Sequence, residues 1–210
     1  MATDSAEIRL TDTNRDTPMS ARSDLMPSKC SVFVAASLDG FIARPDGELD
    51  WLDEANAMVP PDEDCGFAAF LSTVDTIVMG RSTFEKVLTF GHWPYGERPV
   101  FVLTRNPFVT SEELPKSVQF ADLPPEELLQ RIAVSGYRHV YVDGGRTIGS
   151  FLATGAIDRL TVTLIPILLG SGLPLFGPLP ADVRLSLETS RVFEFGFVQL
   201  TYRVDKIGAA

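Results

Sequence analysis

From Lys29 onward, short apolar runs of strand length alternate with amphipathic stretches of helical period, and glycine, proline or aspartate clusters mark the breaks. Cys30-Ser-Val-Phe-Val-Ala-Ala36 reads as the first strand, ended by the turn residues Ser37-Leu-Asp-Gly40, and Phe41-Ile-Ala43 leads to a second turn at Arg44-Pro-Asp-Gly47. An acidic segment over 48–60 ends at Pro60-Pro61. Beyond it, Asp62-Glu-Asp64 has the composition of a helix first turn, with Phe67, Phe70, Leu71 and Val74 at i, i+3, i+4 and i+7. The pattern then predicts a buried strand over 76–79, a helix from about 82 to 89, a strand over 98–104 and a short one over 118–120. Residues 124–133 open with prolines and acids and continue as an amphipathic helix that Gly136 stops. A strand over 139–142, a helix over 147–154 and an alternating strand over 159–166 follow. The last two runs, about 183–193 and 197–204, join through Glu194-Phe-Gly196 and predict an antiparallel hairpin.

Strand–helix alternation that ends in strands is the pattern of an α/β fold with a mostly parallel central sheet and an antiparallel C-terminal hairpin. One domain over residues 29–207 accounts for it. Residues 1–28 are rich in Ser, Thr, Asp, Arg and Pro and are predicted to form a disordered tail.

Ligands of such sheets bind beyond the carboxyl ends of the strands. Three of these ends are alike: Gly80-Arg81-Ser82-Thr83, Thr104-Arg105 and Gly144-Gly145-Arg146-Thr147. Glycine admits a close backbone approach, the free N–H groups of a helix N-terminus attract an anion such as a diphosphate, and arginine offers a planar fork to phosphate. Together the three ends describe a dinucleotide phosphate cradle, with the helix after Gly145 receiving the diphosphate. Arg81 and Arg105 are placed for a 2′-phosphate, which would select NADPH over NADH. The glycine spacing is not Gly-x-Gly-x-x-Gly, so a Rossmann fold is disfavoured.

Composition narrows the partners. The formal net charge is −10, which disfavours a nucleic-acid backbone and leaves any phosphate to be held by local donors. No apolar run approaches the ~18 residues of a membrane span, and the N-terminus lacks a secretory pattern, so a cytoplasmic protein is expected. Cys30 and Cys65 read as thiols of a reducing compartment. With only these and two histidines, His92 and His139, no metal site is expected.

Five stretches carry a family resemblance: Ala36-Ser-Leu-Asp-Gly-Phe-Ile42, Val78-Met-Gly-Arg-Ser-Thr-Phe84, Val102-Leu-Thr-Arg105, Val142-Asp-Gly-Gly145 and Pro166-Ile-Leu-Leu-Gly-Ser-Gly-Leu-Pro-Leu-Phe176. Residues from about 30 to 204 resemble the dihydrofolate reductase-like family. More specifically, they are similar to the stand-alone reductase domain of riboflavin biosynthesis, the RibD C-terminal domain. The resemblance implies a three-layer α/β/α fold, a homodimer, and hydride transfer from NADPH to a pyrimidine- or pteridine-type heterocycle, as in 5-amino-6-(5-phosphoribosylamino)uracil reductase. It places the nicotinamide against Ala36, Leu38, Gly40 and Ile42. The phosphates and adenosine would meet Gly80, Arg81, Ser82, Thr83, Thr104 and Arg105, and Gly144, Gly145, Arg146, Thr147 and Ile148 would close the middle.

A hydride must be matched by a proton, and two carboxyls are candidates for the acid. In dihydrofolate reductases the acid lies fifteen positions before the methionine of Met-Gly-Arg, which here is Asp64. Asp39, in Leu-Asp-Gly, adjoins the expected nicotinamide loop. Trp51 and Phe84 are candidates for contact with a planar acceptor. Two alternatives stay open: a dihydrofolate reductase proper, and a non-catalytic NADPH-binding protein of the same fold.

Overall fold

Strand β1 (Lys29–Ser37) shows why the chain builds layers. Successive side chains leave a strand by opposite faces, and both faces of β1 are covered. Cys30, Val32 and Ala36 enter one core cluster with Leu128, Leu129 and Ile132 of α4 (Pro125–Val134) and with Ile148, Phe151 and Leu152 of α5 (Gly145–Ala153). On the opposite face, Phe33 packs with Leu71 of α2 (Phe67–Ser72) and with Phe84 and Val87 of α3 (Arg81–Leu88). Further along that face, Ala35 packs on a third cluster built from Trp51 and Ala55 of α1 (Asp50–Asn56) with Phe193 and Phe197. The computed structural model, which describes residues 29–106 and 114–206, is therefore the expected three-layer α/β/α arrangement. The expected tail over 1–28 lies outside the described residues.

The central sheet has eight strands in the order β5-β4-β3-β6-β1-β7-β10-β9. Here β3 is Thr76–Gly80, β4 Val100–Leu103, β5 Val118–Ala121, β6 His139–Asp143 and β7 Arg159–Ile165. These pair in parallel with their neighbours from β5 through β7. The terminal hairpin, β9 (Leu185–Val192) and β10 (Val198–Val204), adds two antiparallel strands beside β7, as the sequence pattern predicted. A second, two-stranded sheet was not legible in the sequence: β2 (Phe41–Ala43) pairs with β8 (Leu173–Pro174). It ties the loop after β1 to the Gly-Ser-Gly-Leu-Pro segment, and Gly172 is required there because a Cβ would strike the Ala43 carbonyl.

One detail of register positions the site. β1 pairs with β7 over seven residues, Ser31 to Ser37, but with β6 over three, ending at Ser31↔Tyr141. Beyond that point β6 stays with β3 as far as Met79↔Asp143. The carboxyl halves of β1 and β6 therefore part. A gap between parallel strands at their carboxyl ends is where an open α/β sheet receives its ligand.

Candidate active site

The gap is lined by polar atoms on strands that are otherwise apolar. His139, Tyr141 and Asp143 alternate with Val140 and Val142 on β6, so all three share the α2–α3 face. Tyr141 is buried, and its hydroxyl donates to the Phe33 carbonyl at 2.9 Å. That bond spans the strands where the ladder has stopped. One turn of the strand further, the Gly144 N–H donates to Asp143 Oδ1 at 2.8 Å. Burial pushes the Asp143 carboxyl up from 3.8 to about 6, against the smaller opposing pulls of the Gly144 N–H and the Tyr141 hydroxyl. A carboxyl of this kind, at a strand end beside that gap, suits proton donation near neutral pH. Asp143 lies one position beyond the strand expected over 139–142 and ends β6 in the structure. The signal available was its place in the alternation His-Val-Tyr-Val-Asp, which puts it on the face of Tyr141.

Two helices start at the carboxyl ends of the neighbouring strands β3 and β6, and neither has a side-chain N-cap. Each begins with glycine at the cap and carries threonine three positions on, as Gly80/Thr83 and Gly144/Thr147. The two turns interlock. A Cβ on Gly80 would lie 3.0 Å from Thr147 Oγ1, and one on Gly144 would overlap Thr83 Oγ1. Gly144 also has φ +87, which a side chain rarely adopts. This close approach brings two uncapped N-termini side by side, and their first-turn N–H groups fit a diphosphate. Gly80 pairs in register with Leu103, so Arg81 and Arg105 leave from adjacent strand ends. Arg105 is highly exposed, with Asp122 as a loose partner at 3.9 Å, while Arg81 Nε holds Glu85 at 2.7 Å. Ser82 and Arg146 are exposed in the first turns of α3 and α5, and the Thr104 hydroxyl closes a local turn on the Asn106 N–H at 3.2 Å.

Several expected contacts change role. Ile148 is fully buried in the core and its N–H is spent on the Gly144 carbonyl at 2.8 Å, so neither faces a ligand. Gly145 lacks a side chain for packing reasons: a Cβ would come within 2.7 Å of the Pro174 carbonyl and 3.1 Å of Ile42 Cδ1. A valine at this position would therefore disturb the fold itself. Ala36 is buried beneath α5, whereas Leu38 is 60 % exposed and Gly40 is open on its Cβ side at φ +85. The Ala36 side chain, expected beside a nicotinamide, is therefore part of the core.

Neither sequence-picked acid has the character of one. Asp39 accepts from Ser37 Oγ at 2.6 Å, from Gly170 N at 2.7 Å and from Leu169 N at 3.1 Å. The Ser37 hydroxyl and then those backbone N–H groups hold it below the usual carboxylate range. It pins the loop after β1 to the 166–170 segment. Asp64 is exposed and accepts from Ala68 N at 2.7 Å and Gly66 N at 2.8 Å, and these bonds hold it ionised. It serves the first turn of α2. Trp51 is 1 % exposed in the α1 cluster, its indole Nε1 without a partner, and Phe84 is fully buried edge-on to Trp93 and Phe120. Both are core residues, which corrects the expectation that they stack on an acceptor.

The eight-stranded sheet, its helical layers and the crevice at the β1–β6 gap define a protein of the dihydrofolate reductase-like fold. The likeness to dihydrofolate reductase from Enterococcus faecalis, solved with NADP(H), supports this at TM-score 0.55 and 20 % identity over 86 % of this chain and 99 % of that one. The chain belongs to the RibD C-terminal domain family, whose model matches residues 29–198. The Bacillus subtilis protein YwjB, itself uncharacterised, is 36 % identical over 180 residues, which cover 84 % of this chain and 98 % of YwjB. A candidate riboflavin biosynthesis protein from Shewanella sp. PV-4 is 37 % identical with TM-score 0.78, over 85 % of this chain and 99 % of its own.

Proposed function

We propose that the protein is an NADPH-dependent reductase that acts on a pyrimidine- or pteridine-type heterocycle of the riboflavin-biosynthesis class, with Asp143 as its acid. The observation that carries this reading is the placement of one raised carboxyl beside two interlocked helix N-termini at a gap in the sheet. The first-turn N–H groups of α3 and α5 would hold the diphosphate, and Arg81 and Arg105 the 2′-phosphate. Bound there, the cofactor supplies the hydride. Asp143, about one-tenth protonated at pH 7 for a value near 6, supplies the proton. Phe33, Phe67 and Phe70 form an aromatic wall on the same face, with Phe33 and Phe70 stacked at 5.0 Å and Phe67 5.7 Å from Phe33, which suits a planar ring. Against dihydrofolate reductase proper stands the commitment of Asp64 to α2, and against a non-catalytic binder stands Asp143.

The family resemblance also implies a homodimer. The surface that suits it is the α4–α5 face of the terminal hairpin, where Leu185, Leu187 and Val192 are 41 %, 56 % and 76 % exposed. This face is uncharged, so two copies of a chain with net charge −10 meet there without direct repulsion.

The test is a binding titration of NADPH and NADH followed by turnover on pyrimidine and pteridine acceptors. Tighter NADPH binding, with reduction of at least one ring class that drops ~10²–10⁴-fold in Asp143→Asn, is the expected result. Full turnover by the variant would remove Asp143 from the chemistry.

A further inference from the structure

We propose that Tyr141 is a positioning residue for proton delivery, sharing its one hydroxyl hydrogen between the Phe33 carbonyl and the Asp143 carboxyl across the gap between β1 and β6. The inference rests on Asp143 being the acid. The register supplies the first argument. β6 leaves β1 at Ser31↔Tyr141, and the Phe33 carbonyl just beyond is taken by the Tyr141 hydroxyl at 2.9 Å. The ring cannot follow a moving hydrogen. It is buried and held edge-on by Phe70 at 5.2 Å and by Phe67 at 6.4 Å, so the phenol oxygen stays in place and only its O–H bond turns.

The second argument is a count of donors and acceptors. The Tyr141 hydroxyl also interacts with the Asp143 carboxyl, whose Oδ1 is already occupied by the Gly144 N–H. A phenol has one hydrogen to give and an oxygen able to accept. With Asp143 neutral, the hydrogen rests on the Phe33 carbonyl and the carboxyl proton, on Oδ2, is left for the acceptor. When Asp143 gives that proton to a ring nitrogen of the acceptor, the tyrosine hydrogen swings onto the new carboxylate. A neutral hydrogen bond is thereby exchanged for a charge-assisted one as the charge forms, so the interaction is stronger after transfer than before it.

The step balances. A reduced nicotinamide gives two electrons as hydride to the acceptor carbon, Asp143 gives the proton, and water reprotonates the carboxylate once product has left. Tyr141 keeps its own proton throughout. Burial, with the nearby Asp143 charge, holds its hydroxyl well above the ordinary tyrosine value.

The test uses the full chain and three measurements. Carbon-13 NMR of the Asp143 carboxyl, in cofactor-free protein, should show its titration midpoint rising by about one unit in Tyr141→Phe, a tenfold loss in ionisation, because the anion has lost its donor. Turnover of this variant should fall about tenfold, its alkaline limb should move upward, and its affinity for NADPH should not change. Should Tyr141→Phe not fold, the wild-type Phe33 carbonyl resonance serves instead, and it should shift through the same midpoint as Asp143. A carboxyl midpoint unchanged in folded Tyr141→Phe, or a Phe33 resonance that ignores the Asp143 titration, overturns the sharing. Full activity in Asp143→Asn overturns the acid assignment itself, and the NMR readings stand apart from that result.

Discussion

Replacing Asp143 with asparagine should stabilise the fold at neutral pH even as it removes the proposed acid. The carboxyl ionises near 6 in the folded protein instead of 3.8, because burial penalises its charge. The folded state then binds the proton more tightly than the unfolded chain does. Stability contributed by the protonated group is present below about pH 4, falls as pH rises from 4 to 6, and is absent above that. A displacement of about two units has a ceiling of about 3 kcal/mol. The side chain keeps some contact with solvent, which brings the expectation to about 1–3 kcal/mol. Asparagine retains an Oδ1 acceptor for the Gly144 N–H and carries no charge, so the variant escapes the penalty without opening a cavity.

Urea unfolding of both proteins from pH 4 to pH 8 measures this. The variant should exceed wild type by about 1–3 kcal/mol at pH 8, which for a chain of this size is a rise of roughly 2–12 °C in Tm. The difference should close toward pH 4. His139 titrates in both proteins and cancels from the comparison. An Asp143→Asn protein less stable than wild type at pH 8, or a difference that does not vary with pH, would refute the reasoning. Either result would mean that the fold welcomes the carboxylate.

The other predictions address residues whose roles the structure reassigned or sharpened. His139 is held below its ordinary value, chiefly by burial, so the stability it contributes is full above pH 6.5 and falls as the medium becomes more acid; His139→Gln should flatten the decline in Tm between pH 7 and 5, and an unchanged slope would remove the histidine from that role. Arg81→Ala combined with Arg105→Ala should weaken NADPH at least tenfold more than NADH in fluorescence titrations, and equal losses would sink the 2′-phosphate assignment. Asp64→Ala should cost about 1 kcal/mol in urea unfolding and leave turnover intact, whereas a large loss of turnover would restore Asp64 as the acid. Leu187→Glu with Val192→Glu should shift sedimentation from dimer to monomer, and a dimer that persists would exclude the hairpin face.

Sequence pattern located the strands well because it is local. Alternating or continuous apolar runs identified β1, β3, β6 and β7, and proline-and-acid starts identified α4, because burial acts on each residue where it stands. The same locality misled at Asp64, where a fifteen-residue interval was read as a role. An aspartate that accepts from Gly66 and Ala68 is fully explained by the helix it starts. Trp51 and Phe84 failed for a related reason: an aromatic residue looks the same in sequence whether it lines a crevice or fills a core, and the sheet faces that bury these two come from distant segments.

Asp143 was hidden by something less local still. Its five-residue strand looks like any buried strand, and Val140 and Val142 satisfy that reading completely. What gives Asp143 its character is the point at which β6 parts from β1, more than a hundred residues earlier in the chain. Pairing between β1 and β6 stops after three registers, while on their outer edges β1 goes on with β7 and β6 goes on with β3. No window of sequence contains both choices. The helix starts at Gly80 and Gly144 were legible one at a time, yet each threonine fills the space above the other's glycine, so the cradle exists only as a pair. Chemistry at this site therefore depends on two separations fixed by the sheet: a narrow one, where glycine lets two helix ends meet, and a wide one, where Tyr141 bridges strands that have come apart. A substitution that changes either spacing should alter function with every proposed catalytic side chain still in place.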